Sequence, residues 1–136
     1  MFLVDTDVLS DMRKPRPDAG VARWIAAQSV DDLHISVITV MEVERGVERQ
    51  RTLNPQHAAV LEAWLLGHLS TFGDRVLPVT SAIARRWGRM QIELQRNDHD
   101  LAIAATALEH GPTVVTRNVR HFDRTGATVF NPFDAP

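Results

Sequence analysis

The sequence predicts an α/β domain with a parallel sheet covered by helices on both faces. Short apolar runs alternate with helix-length segments along the chain, and the helical segments carry one-sided apolar stripes. The first run also ends in Asp5-Thr6-Asp7 and turns into a helix, which aims carboxylates at the carboxyl end of a strand. That edge is where open α/β sheets bind ligands. At 136 residues the chain holds one sizeable core but not two comfortable ones, so residues 1–133 are read as one domain and 134–136 as a tail.

The elements follow in order. Phe2–Val4 is the first strand and residues 34–36 the second. The second leads into a helix that carries Glu42, with Gly46 one turn later. Asn54-Pro55 has the form of a cap with proline at the first helical position. Leu61, Trp64, Leu65, Leu69 and Phe72 then recur at helical spacing, which predicts a stripe for the core or a dimer interface. Residues 76–79 are the third strand, and Thr80 or Ser81 caps a helix whose stripe is Ile83, Trp87, Met90 and Leu94. From Asp100 runs an Ala-rich helix, predicted to be buried because its small residues permit close packing. His110-Gly111-Pro112 ends it, and Thr113–Val115 and residues 128–130 are the last strands. Loose segments are predicted only at residues 14–18 and in the final three.

Composition narrows the chemistry. No stretch approaches the roughly 20 apolar residues of a membrane span, and the start lacks a secretory pattern, so a soluble cytoplasmic protein is expected. Without cysteine, any metal must be held by oxygen or imidazole, which favours Mg²⁺ or Mn²⁺. The net charge of −2 hides an uneven distribution, because 14 of 15 basic residues are arginine, suited to bidentate phosphate contacts. Arg13, Lys14 and Arg16 form one group, Arg85, Arg86 and Arg89 a second, and Arg117, Arg120 and Arg124 a third. The first and third flank the acidic edge.

Three separated acids, Asp5, Glu42 and Asp100, form the candidate metal set. Each has a plainer reading alone. Asp5 and Asp100 could be helix caps, and Glu42 could be a surface carboxylate paired with Arg45 or Arg49. Gathered together, carboxylates repel, and they stay ionised only beside a cation. Asp98 and His99 read as loop residues, Asp11 as surface or supporting, Asp123 as solvent-facing, and Thr6, Ser10 and Ser36 as supporting hydroxyls.

The segments Val4-Asp-Thr-Asp-Val-Leu-Ser10, Thr39-Val-Met-Glu-Val-Glu-Arg-Gly46, the Asp100 helix, Thr116-Arg-Asn118 and Asn131-Pro-Phe133 together resemble the PIN-domain family, and within it VapC-type toxins of toxin–antitoxin pairs and FitB-like proteins. The resemblance spans residue 1 to about 133. It implies a three-layer α/β/α PIN-like domain that cleaves RNA with a water activated by Mg²⁺, Mn²⁺ serving in its place. Asp5, Glu42 and Asp100 would hold the metal, Asn118 would be a weaker fourth contributor, and Arg13, Arg117 and Arg120 would contact RNA phosphates. A cognate antitoxin, a homodimer and DNA reached only through the antitoxin are implied too. Relatives place an acid at the position of Asn118 or of His121, and often Asn at that of Asp7, so a single metal ion is expected. The main rival is a catalytically weak PIN-like subunit in a DNA-binding regulatory complex. A small-molecule phosphohydrolase is disfavoured because Lys14 is the only lysine.

Overall fold

Among residues 1–134, which the computed structural model describes, five parallel strands pair in the order β3-β2-β1-β4-β5. They are β1 (Phe2–Val4), β2 (Leu33–Ser36), β3 (Val76–Leu77), β4 (Thr113–Val115) and β5 (Val129–Phe130). Six α-helices accompany them among the described residues: α1 (Thr6–Asp11), α2 (Ala19–Ala26), α3 (Val37–Leu53), α4 (Pro55–Phe72), α5 (Ser81–Leu94) and α6 (Asp100–His110).

Strand alternation sets the layers. Leu3 and Val114 turn to one face, packing with Ile83 and Met90 of α5 and Leu101 and Ile103 of α6. Their neighbours Val4 and Val115 turn to the other, against Val8 and Leu9 of α1 and Val21 of α2. Both faces are therefore covered, giving the predicted three-layer α/β/α arrangement. Each fully buried aliphatic side chain of this kind contributes about 1.5–3 kcal/mol. A third cluster, Val43, Val47, Leu61 and Leu65, joins α3 to α4, and the stripe of α4 is thus partly core. No described helix is long and apolar enough to cross a membrane.

Local differences from the expected elements have physical causes. β3 stops at Leu77 because Pro78 has no N–H to give to the ladder. Helix α2 is an element that the sequence pattern does not predict. Asp18 caps it by accepting from the N–H groups of Gly20 and Val21, at 2.9 and 3.2 Å. Residues 14–18 do lack regular structure, but they are anchored, since the N–H of Asp18 donates to Asp11 at 2.8 Å. Asp134, expected to be loose, instead donates its N–H to Asp18 and accepts two bonds from Arg23. The remaining tail positions, 135 and 136, lie outside the described residues.

Strand order positions the site. From β1 the chain passes to β2 on one side, and it later inserts β4 on the other, so the order switches beside β1. A crevice opens at such a switch, outside the carboxyl ends of the strands. Asp5 follows β1 and Thr116 follows β4, which puts both at its floor.

Candidate active site

Asp5 is only 5% exposed. One carboxylate oxygen caps α1 by accepting from the N–H of Thr6 at 2.8 Å, and the other accepts from the hydroxyl of Thr116 at 2.9 Å. Asp7 lies beside it. Its carboxylate accepts from the N–H of Val8 at 2.7 Å and of Arg117 at 2.8 Å, and stands 3.2 Å from the Thr116 hydroxyl. That same hydroxyl accepts from the N–H of Asn118 at 3.0 Å. Thr116, fully buried, thus ties the two N-terminal acids to the turn after β4.

Two further helices supply the remaining acids. Thr6 donates to Glu42 at 2.9 Å and lies 3.2 Å from the hydroxyl of Thr39, which fixes α3 against the start of α1. Asp100, in the first turn of α6, lies 2.6 Å from Nδ1 of His121. His99 occupies the cap position and makes no side-chain cap bond. Asp5, Thr6, Asp7, Ser10, Glu42, Asp100, Asn118 and His121 line one open pocket of about 340 Å³.

Burial holds three carboxyls of the pocket above their ordinary range. Burial, then the charge of Asp7, raises the Asp5 carboxyl from 3.8 to about 7, against the opposing bonds from Thr6 and Thr116. Burial also raises Asp7, while the N–H of Arg117 opposes it. Glu42 is raised by burial and by Asp100, with Thr6, Arg45 and His99 acting the other way. A divalent cation would relieve all three shifts at once. The donors are hard oxygens, the set that suits Mg²⁺. Among the described residues, however, no three His, Asp or Glu side chains already stand close enough to form a complete ligand set. Each carboxylate is instead engaged by a neighbour, Glu42 by Thr6, Asp5 by Thr116 and Asp100 by His121.

The family model described as PIN domain matches residues 2–127 of this chain. The chain belongs to the PIN-domain family. Toxin FitB of Neisseria gonorrhoeae is 32% identical over 98% of this chain and 99% of its own length. The VapC ribonuclease Y4jK of Sinorhizobium fredii is 31% identical over 98% of this chain and 99% of its own. Among solved structures, FitAB bound to an IR36 DNA fragment matches with a TM-score of 0.83 at 33% identity, covering 97% of this chain and 95% of that one.

In this PIN domain Asp5, Glu42, Asp100 and Asn118 meet at one pocket, although residues 5 and 118 are far apart in sequence. The arginines do not. Arg120 lines an adjoining groove of about 470 Å³ with Arg96, Asp98, Asp100 and His121. Arg117 lays its guanidinium 3.8 Å above the ring of Phe133, and Arg13 lies 5.9 Å from that of Trp64. Asp11 is neither at the surface nor in the pocket: it is 3% exposed and holds Asp18 and Lys14. Ser36 also stays outside the pocket, capping α3 through the N–H of Ile38. Asp123 is exposed as predicted. Sequence reasoning missed Thr116 as the shared donor and Arg96 as a groove residue. A hydroxyl directly after an apolar strand was the available sign for Thr116, whereas Arg96 had none.

Proposed function

We propose that this PIN domain is a metal-dependent endoribonuclease toxin. Asp5, Glu42 and Asp100 hold Mg²⁺, with Mn²⁺ as a substitute, and Asn118 contributes a neutral amide oxygen. The observation that supports this most is the burial of Asp5 in the same pocket as Asp7 and Asp100, which raises its carboxyl to about 7 and favours a bound cation that would keep it ionised. When bound, the ion supplies an activated water and neutralises the charge that builds on the phosphate during in-line attack. The chain's own residues do the rest. Thr116 and the N–H of Thr6 fix the Asp5 carboxylate, Thr6 fixes Glu42, and His121 holds Asp100 toward the pocket. On this reading Arg120, in the groove that shares Asp100, binds a flanking RNA phosphate, and Arg117 and Arg13 are further phosphate contacts outside that groove.

Relatives named as a toxin and as a ribonuclease support the same reading. A cognate antitoxin would cover the pocket, a homodimer would carry two such sites, and DNA would be reached through the antitoxin. The separation of the carboxylates, and an amide and an imidazole at Asn118 and His121, favour a second reading: a catalytically weak subunit of a DNA-binding complex.

Inducible expression in a bacterial host of wild type beside Asp100→Asn, followed by sequencing of new RNA 5′ ends, separates the two. The nuclease reading requires growth arrest and discrete cleavage sites with wild type alone. Soluble expression of both proteins without new ends would move the binding-subunit reading ahead.

A further inference from the structure

Residues 131–134 form a short strap over the outer layer. The N–H of Phe133 donates to the side chain of Asn131 at 2.9 Å, which bends the segment. The N–H of Asp134 then donates to the Asp18 carboxylate at 3.0 Å, and the Asp134 carboxylate takes both of its oxygens to Arg23, each at 2.9 Å. The strap lies so close to α2 that a Cβ on Gly20 would overlap the carbonyl oxygen of Pro132. Glycine is needed there for backbone approach, not for an unusual φ.

The residue before Asp134 touches the turn beside the candidate active site. Phe133 places its ring under the guanidinium of Arg117 at 3.8 Å, a stacking that leaves the N–H edge of the arginine open. The backbone N–H of Arg117 is the one that donates to Asp7 at 2.8 Å, between Thr116 on Asp5 and Asn118 on the pocket wall. We propose that the strap is a positioning device for the site, with Phe133 as the positioning residue that sets Arg117 and, through its backbone, the turn of residues 116–118. Its catalytic consequence rests on the ribonuclease reading. Its effect on the turn does not.

The test compares Phe133→Leu, Phe133→Trp and Gly20→Ala, reading amide hydrogen exchange at Arg117 together with kcat and KM on RNA. Leucine keeps bulk and loses the ring, tryptophan keeps the ring, and alanine at residue 20 favours helix α2 while displacing the strap. Phe133→Leu and Gly20→Ala should each speed exchange of the Arg117 amide by about fivefold, the scale of one cation–π interaction, while core amides such as Val114 stay protected. Phe133→Trp should restore the wild-type rate. In an active protein the first two variants should raise KM and lower kcat, with tryptophan rescuing both. Unchanged exchange in Phe133→Leu and Gly20→Ala overturns the proposal, as does faster exchange with unaltered cleavage by an active enzyme. A wild type that cleaves no RNA would defeat the ribonuclease reading while leaving the exchange result decisive.

Discussion

On the proposed reading, Asp5 sets function against stability within one side chain. Its folded carboxyl titrates near 7, above the 3.8 of an unhindered aspartate, so between those values the folded protein holds a proton that the unfolded chain has released. Stability must therefore fall as pH rises across that window and level off above it. Asp5→Asn removes the burden. With chelator present, urea unfolding should find this variant more stable than wild type at pH 8 by on the order of 2 kcal/mol, with the gap closing toward pH 4. Millimolar Mg²⁺ should then stabilise wild type and leave the variant unmoved. A variant no more stable at pH 8 would mean that the buried Asp5 carboxylate is accommodated without a cation. Thr116 gives a second case. Thr116→Val deletes the hydroxyl that donates to Asp5 and accepts from Asn118, and should destabilise by about 1–3 kcal/mol and raise the Asp5 carboxyl further. Thr116→Ser should recover most of both, which denaturation and proton titration of the three proteins would check. Asp5 and Asp100 were legible because a strand end and a helix start locate them, whereas Glu42, inside α3, was legible only through the family resemblance. The linkage through Thr116 was not, since it joins residues whose nearness exists only once β1 and β4 pair.

At the scale of elements, the helix that presents Asp100 is held by close packing. Residues Leu101 to Ala107 of α6 are all buried, and Ala104 is wholly enclosed in the cluster with α5 and the sheet. Ala104→Leu should overpack this layer and cost about 1–3 kcal/mol, measured as a lower urea midpoint with unchanged slope. It should also weaken cleavage beyond the stability loss, because Ala104 stands one helical turn from Asp100 and a shift of α6 there would move the acid. Retained cleavage would show that the layer absorbs the added volume away from that turn. The Ala-rich pattern and the Gly111 stop made α6 readable in advance, the glycine serving at a φ of 86°. α2 was harder to see. Its apolar residues Val21, Trp24 and Ile25 span little more than one turn, too few for periodicity to speak, and only Asp18 marked its start.

Over the whole molecule, a net charge of −2 must be reconciled with the polyanionic substrate that the proposed ribonuclease function requires. The reconciliation is local. Arg96 and Arg120 line the groove that shares Asp100 and His121 with the acid pocket, so two cationic side chains sit beside the carboxylates. The clustering of Arg117 and Arg120 in sequence pointed to this side. Arg96 did not announce itself, because it comes from the segment between α5 and α6 and reaches the groove only through the fold. Arg96 is also clasped by Asp98 through two bonds of 2.8 Å, so an RNA phosphate would have to compete with that carboxylate. Arg120 is not clasped in this way and should carry more of the binding. In an Asp100→Asn background, which allows affinity to be measured without cleavage, Arg120→Ala should weaken single-stranded RNA binding. It should also reduce the slope of log K against log salt by about 0.7, the value for one phosphate no longer neutralised. Arg96→Ala should do less, and Asp98→Ala should tighten binding by freeing the guanidinium. A salt slope unaltered by Arg120→Ala would move the RNA path away from this groove, toward the side where Arg13 stands over Trp64.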